Sequence, residues 1–276
     1  MSEFINKKQN QNQNSNNDNK QSGYVDIHCH CLPGLDDGPK NTFESLALCQ
    51  ALVEDGVTVA IATPHQLGQF DGLNEPAKVR DTVLQLNKEL ENNKIPITVM
   101  PGGDVRIDER ICQLIEDDKI QTLADGGKYI LLELPSRIFI DIEPLLVELA
   151  EKGIQAIISH PERHYVLCRQ YSILQKWLNC PAHLQITAGS LSGDFGLKAQ
   201  NAAWEFLRKG WVSFVATDAH NLGSRRPKMK NAYREISLNL STELAHTVCI
   251  ENPIRLLEGG EIISVFLGRQ RLYGGF

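Results

Sequence analysis

Seven short runs rich in Val, Ile, Leu and aromatic residues recur along this chain, separated by stretches that carry helix signals. They are YVDIH (24–28), VTVAIAT (57–63), ITVMPG (97–102), KYILLEL (128–134), IQAIISH (154–160), LQITA (184–188) and WVSFVAT (211–217). Their length and β-branched content read as strands. Between them, residues 42–55 make a helical pattern that ends at Asp55-Gly56. Residues 75–92 follow Asn74 as a cap, with Pro76 in the first turn and Val79, Val83, Leu86 and Leu90 on one face. Residues 141–152 stop at Gly153, and 197–209 stop at Gly210. Strands alternating with helices predict an α/β fold on a parallel sheet, closed as a barrel or open and doubly wound.

The first 22 of the 276 residues break this pattern: they are nearly all Asn, Gln, Lys and Ser. Such a segment cannot bury enough apolar surface to offset its ordering entropy, so 1–22 reads as a disordered tail and 23–276 as one domain. No apolar run approaches the ~18 residues of a membrane span. A net charge of −6 argues against a nucleic-acid partner. The seven cysteines are odd in number and contain no CxxC pair. With no secretory signal in the leader, this places the expected location in the reducing cytoplasm.

In parallel α/β folds the chemistry gathers beyond the carboxyl ends of the strands. Those ends carry His28 and His30, then His65, Asp104, Glu133, His160 with Arg163, and finally Asp218 and His220 with Arg225. Only the sixth run contributes no evident ligand. On an extended strand, residues i and i+2 face one side, so His28 and His30 can reach one ion while Cys29 and Cys31 turn away to pack. Nitrogen and oxygen donors converging on one mouth predict a multinuclear metal site. Imidazole and carboxylate without thiolate favour Mn, Fe or Zn over Ca or Cu(I).

The segments HCHCLPGLDDG, ATPH, PGGDVRI, LLELP, SHPERH and TDAHNLGSRRP occur in this order and span nearly the whole chain from Tyr24. Together they resemble the PHP-superfamily phosphoesterases, and within them the manganese-dependent protein-tyrosine phosphatases of bacterial capsule and exopolysaccharide gene clusters. The resemblance implies a distorted (β/α)7 barrel holding three divalent ions, Mn2+ in the first place, with Fe or Zn as alternatives. It implies a phosphotyrosine-bearing bacterial tyrosine kinase as partner, met near the inner face of the membrane. By motif, His28, His30 and Asp218 would hold a first ion. Glu133 would bridge to a second, shared with His160 and Asp104, and His65 and His220 would serve a third. One departure is Asp104, where the family usually has the longer Glu.

Such ions would neutralise the phosphoryl oxygens and acidify a water for in-line attack. Arg163 and Arg225, just beyond His160 and His220, are either phosphate clamps or surface ion-pair partners. Asp36 and Asp37 read as a turn before Gly38, or as a group that orients water or protonates the leaving phenolate, Asp37 before Asp36. The competing chemistries are a small-molecule phosphatase such as one for histidinol phosphate, an amidohydrolase, and a cysteine phosphatase. An amidohydrolase commonly has a carboxylated lysine where this chain has Glu133. A cysteine phosphatase would need the single C-x5-R match, Cys249 to Arg255, but Pro253 there lacks an N–H and Glu251 repels an anion. Asn252-Pro253 reads instead as a helix cap and first turn.

Overall fold

The computed structural model describes residues 23–264. All strand pairing is parallel, and it divides into two sheets. The smaller has the order β1 (Tyr24–Cys29), β2 (Val57–Ala62), β4 (Thr98–Pro101). The larger runs β3 (His65–Gln66), β5 (Asp104–Arg106), β6 (Tyr129–Glu133), β7 (Gln155–Ser159), β8 (Ala182–Thr187), β9 (Val212–Ala216). Among the described residues no continuous ladder closes these sheets into one barrel.

Two of the seven sequence runs account for the division. The second breaks at Thr63-Pro64, where proline has no N–H to give a ladder. The third breaks at Gly102-Gly103, where the backbone lies too close to its neighbours for any side chain. A Cβ on Gly102 would sit 2.6 Å from Ile61 Cγ2, and one on Gly103 would sit 2.3 Å from Gln66 Oε1. Across the break the Asp104 N–H still donates to the Pro64 carbonyl at 3.2 Å. On the far side, Cys29 bridges Ala219, the His30 N–H donates to the Ala219 carbonyl at 2.9 Å, and the Asp218 N–H donates to the His28 carbonyl at 2.8 Å.

The strands bury both faces. Val25, Ile27 and Ile61 of the first sheet pack with Leu131, Ile157 and Phe214 of the second in one cluster, while Ile130, Leu132, Ile158 and Val215 join the helices in another. Burial of this kind is the main stabilising contribution, at about 25 cal/mol per Å² of apolar surface. The helix Pro76–Asn92 buries the predicted Val79, Val83, Leu86 and Leu90. Its Asn74 is not a cap: the side-chain amide donates to the Leu35 and His65 carbonyls at 2.9 Å each. Nor does Asn252 cap its helix, because its side chain bonds Ser213 and Ile263. Helices Ile111–Glu116, Tyr171–Trp177 and Met229–Asn239 complete the wrapping. Among the described residues no helix is long and apolar enough to cross a membrane. The leader read as residues 1–22 lies outside the described residues.

Candidate metal centre

The strand termini bring all eight predicted donors to one place. His28 ends β1, His65 and Asp104 open β3 and β5 beyond the two breaks, and Glu133 ends β6. His160 and Asp218 follow β7 and β9, each with a left-handed backbone, φ 34° and 50°. That conformation is costly for a residue with a Cβ and turns the chain sharply into the cluster.

The donor atoms face one another closely. His28 Nε2 lies 3.2 Å from His30 Nε2, 3.3 Å from Asp218 Oδ1 and 3.6 Å from Asp104 Oδ2. His65 Nδ1 lies 3.2 Å from Asp104 Oδ2 and 3.6 Å from Glu133 Oε2. Asp37 Oδ1 sits 3.2 Å from His220 Nε2 and 3.4 Å from His65 Nε2. Four groups can each surround one ion: His30 with Asp37, His65 and His220; His28 with His30 and Asp104; His28 with His160 and Asp218; and His65 with Asp104 and Glu133. This grouping puts Asp37 among the donors, and it sets His160 beside His28 and Asp218 while its Nε2 is 3.9 Å from Glu133.

The fit of this site to cations rests on what the protein leaves unpaired. Both Asp104 oxygens, Asp218 Oδ1 and His220 Nε2 are buried without a well-formed hydrogen bond. A buried carboxylate left so costs several kcal/mol unless a cation faces it. The opposite ring nitrogens, by contrast, are occupied. His28 Nδ1 meets Gln185 Oε1 at 2.9 Å, His30 Nδ1 meets Asp36 Oδ2 at 2.6 Å, and His220 Nδ1 meets the Asp218 carbonyl at 3.0 Å. These acceptors hold the proton on Nδ1 and leave each Nε2 lone pair aimed into the cluster.

Electrostatics point the same way. Burial, with His220 beside it, pushes His30 down to about 3, so its ring stays neutral. Burial and the Asp104 carboxylate raise Glu133 to about 7. Burial would lower His65, yet Asp104 and Asp37 drive it up to about 11: the carboxylates draw positive charge into their midst.

Arg163 and Arg225 both reach the outer oxygen of Asp218, Arg225 at 2.7 Å. Arg163 also donates to Thr187 Oγ1 at 3.3 Å and lies over the Phe195 ring at 4.3 Å. Two partners were not singled out from the sequence. Gln185 comes from the strand that offered no ligand. Arg106 pairs with Glu133 Oε2 at 2.9 Å; its signal was its place two residues after Asp104, on the same side of β5. Asp36, read as a turn or water-orienting residue, is instead buried against His30 and orients its ring. Cys249 is wholly buried, and burial pushes its thiol far up, so it presents no thiolate.

Residues 24–258 match the family model described as capsular polysaccharide synthesis, CpsB/CapC. The chain belongs to the CpsB/CapC family. The tyrosine-protein phosphatase YwqE of Bacillus subtilis is 35% identical over 257 residues, 91% of this chain and 100% of the relative. The putative tyrosine-protein phosphatase CapC of Staphylococcus aureus is 32% identical over 215 residues, 78% of this chain and 84% of its own. A solved structure from work on YwqE and on CpsB of Streptococcus pneumoniae, described as unique metal-dependent tyrosine phosphatases, has a TM-score of 0.83 at 34% identity. It covers 87% of this chain and 96% of that one. The chain thus shares its fold with that solved structure over nearly the whole of its length.

Proposed function

We propose that this chain is a metal-dependent protein-tyrosine phosphatase acting on a bacterial tyrosine kinase that governs capsule or exopolysaccharide synthesis. The observation that carries the reading is the set of buried Asp104 and Asp218 oxygens and the His220 Nε2 without hydrogen bonds, flanked by arginines, in a chain whose relatives are named as tyrosine-protein phosphatases. The His28, His30, His65, Asp104, Glu133, His160, Asp218 and His220 side chains, joined by Asp37, hold three divalent ions, with Mn2+ suited to this mixed imidazole and carboxylate set. When bound, such ions neutralise phosphoryl charge and supply an acidified water as nucleophile.

The protein's own residues do the rest. Asp36 and Gln185 fix the tautomers of His30 and His28. Arg225 and Arg163 stand where they can exchange part of their hold on Asp218 for the phosphoryl oxygens, stabilising charge as the ester breaks. The two sheets act as a distorted seven-stranded barrel: the Pro64–Asp104 contact and the His28–Ala219 contacts support that closure. The chain works in the cytoplasm, where its kinase substrate is met at the inner face of the membrane.

The test is turnover of phosphotyrosine, phosphoserine and histidinol phosphate after chelation and reloading with Mn, Fe or Zn. Metal-restored activity on phosphotyrosine above the other two is expected. A preference for histidinol phosphate, or full activity in the chelated protein, would overturn the proposal.

A further inference from the structure

A cavity of about 200 Å³ opens directly beside the donor cluster and shares Glu133 and His160 with it. Besides His160 and Glu133, the apolar Leu134, Pro161 and Leu167 line it, together with the polar Ser159, His164 and the solvent-exposed Ser136. Leu134 and Leu167 are 4% and 0% exposed, so the apolar wall is built into the core rather than assembled from surface side chains. Arg106 and Arg163 also line it, each held by a carboxylate of the cluster.

We infer that this cavity receives the aromatic ring of the substrate, making it the element that selects aryl over alkyl phosphates. The inference deepens the phosphatase reading and rests on it. With the phosphoryl group at the donors, the ester oxygen must leave toward an adjoining space, and this one begins at Glu133 and His160. Its chemistry suits a neutral ring. Three apolar side chains offer the contact that removes a ring from water, and guanidinium groups are attracted to aromatic faces. The same two arginines repel a leaving group that carries an ammonium or imidazolium. A phosphoserine side chain has no ring with which to fill the space.

Binding of two phosphonates that cannot be hydrolysed isolates the effect. With Mn2+-loaded protein and calorimetry, phenylphosphonate should bind at least about tenfold more tightly than methylphosphonate, the size expected from burying one ring. Ser136→Phe places a bulky side chain at the rim without altering the core. It should abolish the phenyl advantage while methylphosphonate binds as before. Arg137→Phe, the next residue on the loop and not part of the lining, controls for added bulk and should keep the advantage. Equal binding of the two phosphonates by the unsubstituted protein, or a phenyl advantage that survives Ser136→Phe, would overturn the inference. If either result accompanies normal hydrolysis of phosphotyrosine, the functional reading stands and only the cavity's role falls. If neither phosphonate binds and phosphotyrosine is not hydrolysed, both fall.

Discussion

Replacing Asp36 by Asn tests whether the histidines are held for a metal. The Asp36 side chain is 1% exposed and accepts three hydrogen bonds: from His30 Nδ1 at 2.6 Å, from the His65 N–H at 3.2 Å and from the Gly38 N–H at 3.0 Å. Asparagine has the same shape but only one accepting oxygen. If its amide nitrogen takes the place of Oδ2, it confronts two donors, and His30 is relieved only by moving its proton to Nε2, the atom that must stay free. If the nitrogen takes the place of Oδ1, it confronts the Gly38 N–H. Either arrangement leaves a buried donor unsatisfied, at a cost of about 1–3 kcal/mol. Second-partner losses of this kind weaken metal binding by about 10- to 100-fold, or about 1.4–2.8 kcal/mol. The assay is Mn2+ titration against a competing chelator, with metal counted after gel filtration. Weakening should concentrate on the equivalents served by His30. Affinities within about twofold of the parent for every equivalent would refute the reasoning and leave Asp36 as an ordinary turn residue.

Arg225→Ala should keep its metals, because Arg163 still holds the outer oxygen of Asp218, yet lose about 100-fold or more in kcat/KM. Arg225→Lys should restore only part, and unchanged turnover in the alanine variant would remove Arg225 from the phosphate site. Chelation should lower the melting temperature by about 5–10 °C for each ion withdrawn, as expected for a site filled at about 100 times its Kd in a domain of this size. Asp104→Asn should shrink that shift, and a melting curve indifferent to chelator would mean that the donor set binds no metal. His183, against Gln155 Oε1 at 2.8 Å, is pushed by burial down to about 4, so it binds a proton in the unfolded chain before it does in the folded one. Stability tied to it is complete above the unfolded value of about 6.5 and declines by up to about 3 kcal/mol as pH falls to about 4. Unfolding of His183→Gln across that window should show a flatter profile than the parent, and parallel profiles would refute the assignment.

The donors were legible because a parallel α/β chain presents chemistry at its strand ends, and imidazoles and carboxylates in those places stand out against β-branched residues. What escaped was whatever depends on which strands are neighbours. Gln185 looks like a filler in a strand until β8 is placed so that its amide meets His28, 157 residues away. Arg106 gains meaning only from the register of β5 on β6, which makes it the direct partner of Glu133. Asp36 and Asp37 are chemically identical in the sequence, yet one is buried behind His30 and the other is half exposed in front of His65 and His220. The division into two sheets had local causes in Pro64 and Gly102-Gly103, but seven apolar runs read as seven unbroken strands because proline and glycine fall at the edges of those runs.

The position of the cluster follows from how β1 meets the segment after β9. The contacts that join β1 to the segment after β9 are backbone bonds of donor residues themselves, with Asp218 N–H to His28 and His30 N–H to Ala219. The backbone bonds between residues near 28 and near 218 therefore also bring the His28 and Asp218 side chains together. Against the cost of burial, His28 with its neighbours holds the Asp104 and Asp218 carboxyls below the usual range, whereas burial and the nearby Asp104 push Glu133 up to about 7. Cations held by Asp104 and Asp218 would brace the contact between β1 and the segment after β9. On the proposed reading, metal binding would be thermodynamically linked to the stability of that contact.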